Sequence, residues 1–413
     1  STLMRSSAAS DVYKRQRKYI SLVLAAFMAV PYVAAQDGKN QFNPVQTGVT
    51  SLGIAPDARG ASMGDLGVAT EPDAYSQYWN PSKYAFAYST AAVSLSYTPW
   101  LRKLVNDINL ANLAGYWKIG GGDNQAVSAS LRYFSLGEVK LTDDSGVEIN
   151  SVNPYEMAFD LGYSRKLSES FSMGVALRYI YSDLAFSDAY SAEQQSGASA
   201  FAADISGYLT TYPIIGRNEC QWSWGFNISN IGSKVSYNDG NDPAFLPTNL
   251  RLGTTFTFPI AAYNTLALSL DVNKLLVPTR PRQSDYLNAD GDYDSNAYEA
   301  ALEDWRNTSS ISGIFKSFTD APNGFSEELK EILFSVGAEY NYNHQFFLRT
   351  GYYHQNADKG NLQYFSFGAG FSLNVVQLDA AYMIATAPSS PLDQTLRFSL
   401  TFDMDGLKAL MGR

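Results

Sequence analysis

Over most of the chain apolar and polar residues alternate one by one, the period of a β-strand whose two faces meet different surroundings. The apolar sets begin as Val93/Leu95/Tyr97, Val127/Ala129/Leu131/Tyr133, Tyr155/Met157/Phe159/Leu161/Tyr163 and Phe171/Met173/Val175/Leu177/Tyr179/Tyr181. They continue as Phe201/Ala203/Ile205/Leu209, Trp222/Trp224/Phe226/Ile228, Leu250/Leu252/Phe256/Phe258, Leu266/Leu268/Leu270/Val272 and Phe334/Val336/Ala338/Tyr340. The last are Phe346/Leu348/Tyr352, Phe365/Phe367/Phe371, Val376/Leu378/Ala380/Tyr382 and Leu396/Phe398/Leu400/Phe402. With a less regular strand around Ile108 to Ile119, the pattern predicts about 14 strands, an even number as closed bacterial barrels have. The opposite faces carry Arg132, Asp160, Arg178, Asp204, Arg251, Asp271, Glu339, Asp379 and Arg397, singly and in both signs. An Arg facing lipid near the midplane costs about 2 to 4 kcal/mol. These charges are therefore expected to point into a lumen and pair there.

Connection lengths agree with that reading. One alternate set is short: Gly120 to Asp123, Leu167 to Glu169, Tyr212 to Glu219, Pro259 to Asn264, Asn341 to His344, and Leu373-Asn374. The other is mostly longer: Pro99 to Asp107, Leu136 to Asn153, Asp183 to Ala198, Gly232 to Leu246 and Leu276 to about Lys330. Two members of that second set, near Asn356 to Asn361 and Ala387 to Leu392, are brief. Outer-membrane barrels keep short turns in the periplasm and long loops outside, which places both termini in the periplasm.

Ahead of the strands the pattern changes. Residues 1–16 show no periodicity and are read as an upstream artefact, while residues 17–35 follow the order of a signal peptide. Arg17-Lys18, the apolar run Tyr19 to Val30 and the small residues before Gln36 supply its three regions. Residues 36–91 then form a periplasmic segment ahead of a barrel over 92–404 and a periplasmic tail over 405–413. Within the segment, Arg59 to Tyr84 (RGASMGDLGVATEPDAYSQYWNPSKY) is small, Gly-rich and without period-2 alternation. Such a stretch buries no core alone and is expected to pack into a preformed one, as a plug in the barrel lumen, rather than to serve as a linker.

Composition sharpens the class. Aromatics are 14% of residues, with 28 Tyr and 23 Phe, while charged residues are only 17%. Aromatic girdles with little charge fit a transmembrane barrel better than a soluble sandwich. No later run reaches about 18 consecutive apolar residues, so any membrane crossing is made by strands. The full chain has 30 basic and 40 acidic residues, which excludes nucleic acid as a natural partner. The single Cys220 excludes an intrachain disulfide framework, and His344 and His354 are too few and too far apart for a triad or a His-rich metal site. No catalytic residue, cofactor or metal site is therefore expected. The acidic run Asp285 to Asp294 places Gly291 one position early for an EF-hand and is read as a solvated loop.

The residues also carry a resemblance. Arg59, Gly60, Met63 and Gly64, then Asp73 and Trp79-Asn80-Pro81, resemble the hatch of the long-chain fatty acid transporter (FadL) superfamily, with Ser82 where that family has Ala. Ser96 to Leu101, Val105 to Ile108 and Thr395 to Phe398 resemble the PorV family of type IX secretion, an outer-membrane component. The resemblance implies a non-enzymatic barrel in the Gram-negative outer membrane. It also implies that such a barrel works beside the type IX translocon barrel, binds secreted proteins by their C-terminal secretion domain and passes them to the surface sortase complex. Pro99, Trp100 and Leu101 are candidate contacts for partner or cargo, with an interfacial girdle as the plainer role of Trp100. The alternative is a FadL-like transporter of long-chain fatty acids or other hydrophobic small molecules, which needs a continuous apolar path past the hatch.

Overall fold

The computed structural model describes residues 42–102, 105, 107–120, 124–142, 148–184, 197–237, 243–287, 293–386, 390 and 392–410. The stretches expected as upstream artefact and signal peptide lie outside the described residues, as does the centre of the acidic loop, 288–292.

Fourteen antiparallel strands close into one barrel. They are β1 (Ala91–Pro99), β2 (Asn109–Ile119), β3 (Gln125–Ser135), β4 (Tyr155–Lys166), β5 (Phe171–Asp183), β6 (Ala198–Thr211) and β7 (Gln221–Gly232). They continue as β8 (Asn249–Ala261), β9 (Asn264–Leu275), β10 (Leu333–Tyr342), β11 (Phe346–His354), β12 (Gln363–Leu373), β13 (Val376–Ala385) and β14 (Leu396–Asp403). Each strand pairs with its sequence neighbours, and β1 pairs with β14 to shut the sheet, with Val93 opposite Phe402, Leu95 opposite Leu400 and Tyr97 opposite Phe398. Closure leaves no unpaired sheet edge, which is what allows strands to cross hydrocarbon.

Side chains follow the period set by the sequence. On β5, Met173, Val175, Leu177 and Tyr179 are exposed on the outside, while Ser172, Ala176, Arg178, Ile180 and Ser182 are buried inside. The same holds for all nine charged residues expected to face inward, from Arg132 to Arg397, each of which is buried. An outer surface of Leu, Val, Phe and Tyr around a charged interior is the arrangement a bilayer imposes on a barrel.

The two ends differ as the connection lengths predict. At one end the links are short, the longest of them between β6 and β7 folding as a small hairpin, Ile214–Ile215 with Asn218–Glu219. Asn343 and His344 take left-handed φ of 52° and 53° between β10 and β11, and Asn374 takes 41° between β12 and β13. At the other end the connections carry structure of their own. A two-stranded hairpin, Val139–Thr142 with Glu148–Val152, stands outside the barrel sheet. The link between β9 and β10, which periodicity left as an insertion, contains the helices Ser295–Asn307, Ser310–Lys316 and Phe325–Lys330. Asp294 caps the first by accepting from Ala297 N, and Ser309 caps the second by accepting from Ser312 N. Leu302 and Trp305 of the first helix are buried against Phe245 and Val277. After β14 the chain enters the helix Met404–Leu410, whose first N–H groups, those of Asp405 and Gly406, donate to Asp403.

Candidate functional site

Ahead of β1 the described chain makes four short helical turns, Thr50–Gly53 and then Ala58–Ala61, Ser76–Trp79 and Pro81–Phe86 in the stretch from 55 to 86, and nearly every residue from 55 to 85 is buried. Two caps hold the last three turns together. Asp57 accepts from Gly60 N at 2.6 Å and from Trp79 Nε1 at 2.7 Å, so one carboxylate starts the first of these and ties it to the second. Asn80 caps the third of these, with Pro81 in its first position, and its Nδ2 donates to Val68 O and to Gly207 O on β6. The small residues that weaken this stretch as an independent core permit close approach. Gly64 has φ of 82°, and a Cβ there would lie 2.7 Å from Tyr352 O on β11. On the wall, a Cβ at Gly351 would lie 2.0 Å from the Met63 carbonyl carbon.

The segment is joined to inward side chains around the barrel. Arg59 donates from Nη2 to Glu339 at 3.0 Å and from Nη1 to Asp73 at 2.9 Å. Glu339 also takes Arg349 Nε at 2.6 Å, and Arg349 reaches Asp379 at 2.6 Å. On β9, Asp271 accepts the N–H groups of Gly67 and Val68 at 2.8 and 3.0 Å. Arg397 on β14 pairs with Asp65 at 2.7 Å, and Ser399 accepts from Ala58 N at 2.8 Å. Lys83 donates to Gly67 O at 2.8 Å and to Thr70 Oγ1 at 3.0 Å within the segment. Elsewhere on the wall, Arg178 bridges Asp160 and Asp204 at 2.6 and 3.1 Å. Removing one member of a buried ion pair costs about 3 to 5 kcal/mol, because the other charge stays buried. The segment is thus held by groups that do not tolerate its displacement.

Two interior cavities adjoin it, with volumes of about 10 and 20 Å3. Arg132, Arg178, Arg251 and Asp160 are among the lining of the first, Arg59, Glu71 and Glu339 among that of the second. Each has room for a small polar species such as water.

At the loop end, Pro99 finishes β1 and Trp100 and Leu101 turn inward. Both are partly buried against Tyr364, Met383 and Leu392, and the Arg397 guanidinium stands 5.6 Å from the Trp100 ring. Leu101 takes a left-handed φ of 51°. Apolar side chains exposed at this end include Ile311, Phe315 and Phe325 on the helices between β9 and β10. Those helices are anchored by an ion cluster absent from the sequence reading. Lys274 holds Glu328 and Glu331 at 2.9 and 2.6 Å, and Lys359 holds Glu327 and Glu331 at 2.6 and 3.0 Å. Burial alone pushes the Glu327 carboxyl up, but the Lys359 ammonium and the N–H groups of Asn323 and Asn43 outweigh it and hold it down to about 2. Asp320 nearby is pushed up to about 6, chiefly by burial.

The remaining candidates are spread apart. Asp285 pairs with Arg282 at 2.7 Å, and Asp294 serves as a helix cap. Among the described residues no group of three or more His, Cys, Asp or Glu is placed to hold a metal ion. Cys220 is buried at the end of a short link, His344 lies in a turn and His354 at the end of β11. The sequence reading passed over Arg349, although it stands on the inward face of β11 at the same period as its neighbours.

A closed 14-strand antiparallel barrel with apolar side chains outward is an outer-membrane barrel. No functionally curated protein matches the chain in sequence. Among solved structures, the toluene transporter TbuX of Ralstonia pickettii is similar at 12% identity and a TM-score of 0.42, covering 84% of this chain and 96% of that one. The toluene transporter TodX of Pseudomonas putida is similar at 12% identity and a TM-score of 0.46, covering 88% and 99%. A FadL homologue of Pseudomonas aeruginosa is similar at 11% identity and a TM-score of 0.40, covering 87% and 99%. The sequence profile described as "Type IX secretion system protein PorV" matches residues 36–282, more than half the chain, and spans the buried segment and the strands through β9. The chain belongs to the PorV family of the type IX secretion system.

Proposed function

We propose that the protein is a non-enzymatic station of type IX secretion. In this reading it binds secreted proteins through their C-terminal secretion domain, receives them beside the translocon barrel and passes them to the surface sortase complex. Arg59 to Tyr84 acts as a static plug, and the working surface is the loop end, outside the cell. The observation that carries the reading is the set of ion pairs and hydrogen bonds from plug to wall: Arg59 to Glu339, Arg397 to Asp65, and the Gly67 and Val68 amides to Asp271. An interior bound in this way offers little to a folded cargo, whereas the helices between β9 and β10 present Ile311, Phe315 and Phe325 to the exterior. Family membership supplies the secretion system as the setting.

The test compares two variants in one strain. Phe315→Asp with Phe325→Asp alters the loop end, and Arg59→Gln loosens the plug. The loop variant is expected to reduce co-purification of secreted cargo and to leave cargo in the periplasm, with the barrel still folded and heat-modifiable. The plug variant should change permeability more than export. Normal export in the loop variant, together with altered long-chain fatty acid uptake in the plug variant, would instead establish a FadL-like transporter.

A further inference from the structure

The first cavity contains an electrostatic mismatch that protein groups leave open. Arg132 on β3 gives its Nη1 to two backbone carbonyls, Ser51 O at 2.5 Å and Ile54 O at 2.9 Å. Arg251 on β8 donates to Tyr78 O at 3.0 Å and Tyr78 Oη at 2.9 Å. Neither guanidinium has a carboxylate partner among the described residues. They stand over the same Tyr78 ring, 4.9 and 4.5 Å from its centroid. Both residues are only 5% exposed, and a buried guanidinium does not relieve itself by losing its proton.

The nearby carboxylates are committed elsewhere. Asp160 and Asp204 are both bound by Arg178, Asp160 also accepts from Ser130 Oγ, and Glu156 accepts the Ser51 N–H at 3.1 Å. Into the same cavity comes Gln77 from the buried segment, 1% exposed. Its Oε1 takes Ser128 Oγ at 2.6 Å, while its Nε2 has no protein partner. The Ser229 hydroxyl, also in the lining, has none either. The unused groups are therefore a guanidinium edge, an amide N–H and a hydroxyl, all able to donate. An acceptor-only species carrying negative charge satisfies such a set better than water, which must also place its own two protons.

We propose that this cavity binds a single halide-sized inorganic anion, chloride in the cell, which joins the wall residues Arg132 and Arg251 to Gln77 of the segment. A volume of about 10 Å3 is the lower limit for one water-sized species, so a halide enters with a small outward shift of the lining side chains, and phosphate or sulfate is too large. The anion offsets burial of two unpaired cations and links segment to barrel where no protein carboxylate does so.

The experiment measures thermal unfolding of the purified full-length protein in nanodiscs at constant ionic strength, with chloride exchanged for isethionate. Wild type is expected to gain a few degrees as chloride or bromide rises, with saturation, as a ligand of the native state requires. Crystals soaked in bromide should show one anomalous peak between Arg132 and Gln77. Gln77→Glu keeps the acceptor for Ser128 and puts a carboxylate into the cavity. It should fold, remain heat-modifiable and lose the halide response. Equal unfolding temperatures in chloride and isethionate for wild type, absence of the bromide peak, or an unchanged response in Gln77→Glu would each overturn the proposal. None of these readouts depends on secretion, so the anion site and the secretion role fail separately.

Discussion

Single atoms set how close the segment comes to the wall. Gly351 has no room for a side chain against Met63, so Gly351→Val is expected to lose about 1 to 3 kcal/mol through overpacking. A lower temperature for the loss of heat-modifiable mobility checks this. Charge acts with equal sharpness at Glu339, which serves both Arg59 and Arg349. Glu339→Gln leaves each guanidinium a single carboxylate, Asp73 or Asp379, and should cost about 3 to 5 kcal/mol. Faster proteolysis within residues 55–75 of the folded variant, against wild type, is the measurement. Much at this scale was legible beforehand. Arg132, Asp160 and Arg397 face inward because lipid rejects them, and period 2 alone reveals that. Which carboxylate each cation would meet was not legible, because partners such as Arg59 and Glu339 are joined only by the barrel's register and the path of the segment.

Strands and helices differ in how openly the sequence announced them. Thirteen of the fourteen strands follow from clear alternation and β2 from a less regular pattern; on β14, Phe398 and Phe402 face outward beside Tyr97 and Val93 of β1. The helix Ser295–Asn307 carries its own signal in Tyr298, Leu302 and Trp305, spaced as i, i+4 and i+7, but acidic neighbours dilute it. Its docking depends on Phe245 and Val277, far away in sequence. The ion cluster around the last of these helices makes its anchoring depend on pH. Glu327 sits at about 2 in the fold against an ordinary 4.5, so its contribution is complete above about 4.5 and is lost as pH falls towards 2. Asp320, raised from 3.8 to about 6, acts in the opposite sense, and its contribution fades as pH rises through 6. Protease cleavage within residues 310–330 should therefore be slowest at about pH 4, where the rising Glu327 limb meets the falling Asp320 limb. Lys359→Met should remove the acid limb of that profile and Asp320→Asn the neutral limb.

The molecule as a whole is a sided object, and its sidedness is testable with two cysteines. If the long connections lie outside the cell, Phe315→Cys labels in intact cells with an impermeant maleimide, whereas Ser168→Cys labels only after lysis. Labelling in the reverse order would invert the assignment. Fold class and the two kinds of barrel end were readable in the sequence, because a bilayer imposes alternation and loop asymmetry on any chain that crosses it as strands. The surface offered at the loop end was not. Trp100 looked like an outward aromatic but leans over Arg397, while Phe315 and Phe325 stand outside on helices that strand periodicity does not reveal. The bond from Ala58 N to Ser399 Oγ and that from Arg397 to Ala55 O join residues 341 and 342 positions apart. β14 is thus at once the strand that closes the barrel against β1 and the berth of the buried segment. A chain cut short before β14 loses seam and berth at once, and is expected to be cleared by proteases rather than to persist as a leaky pore.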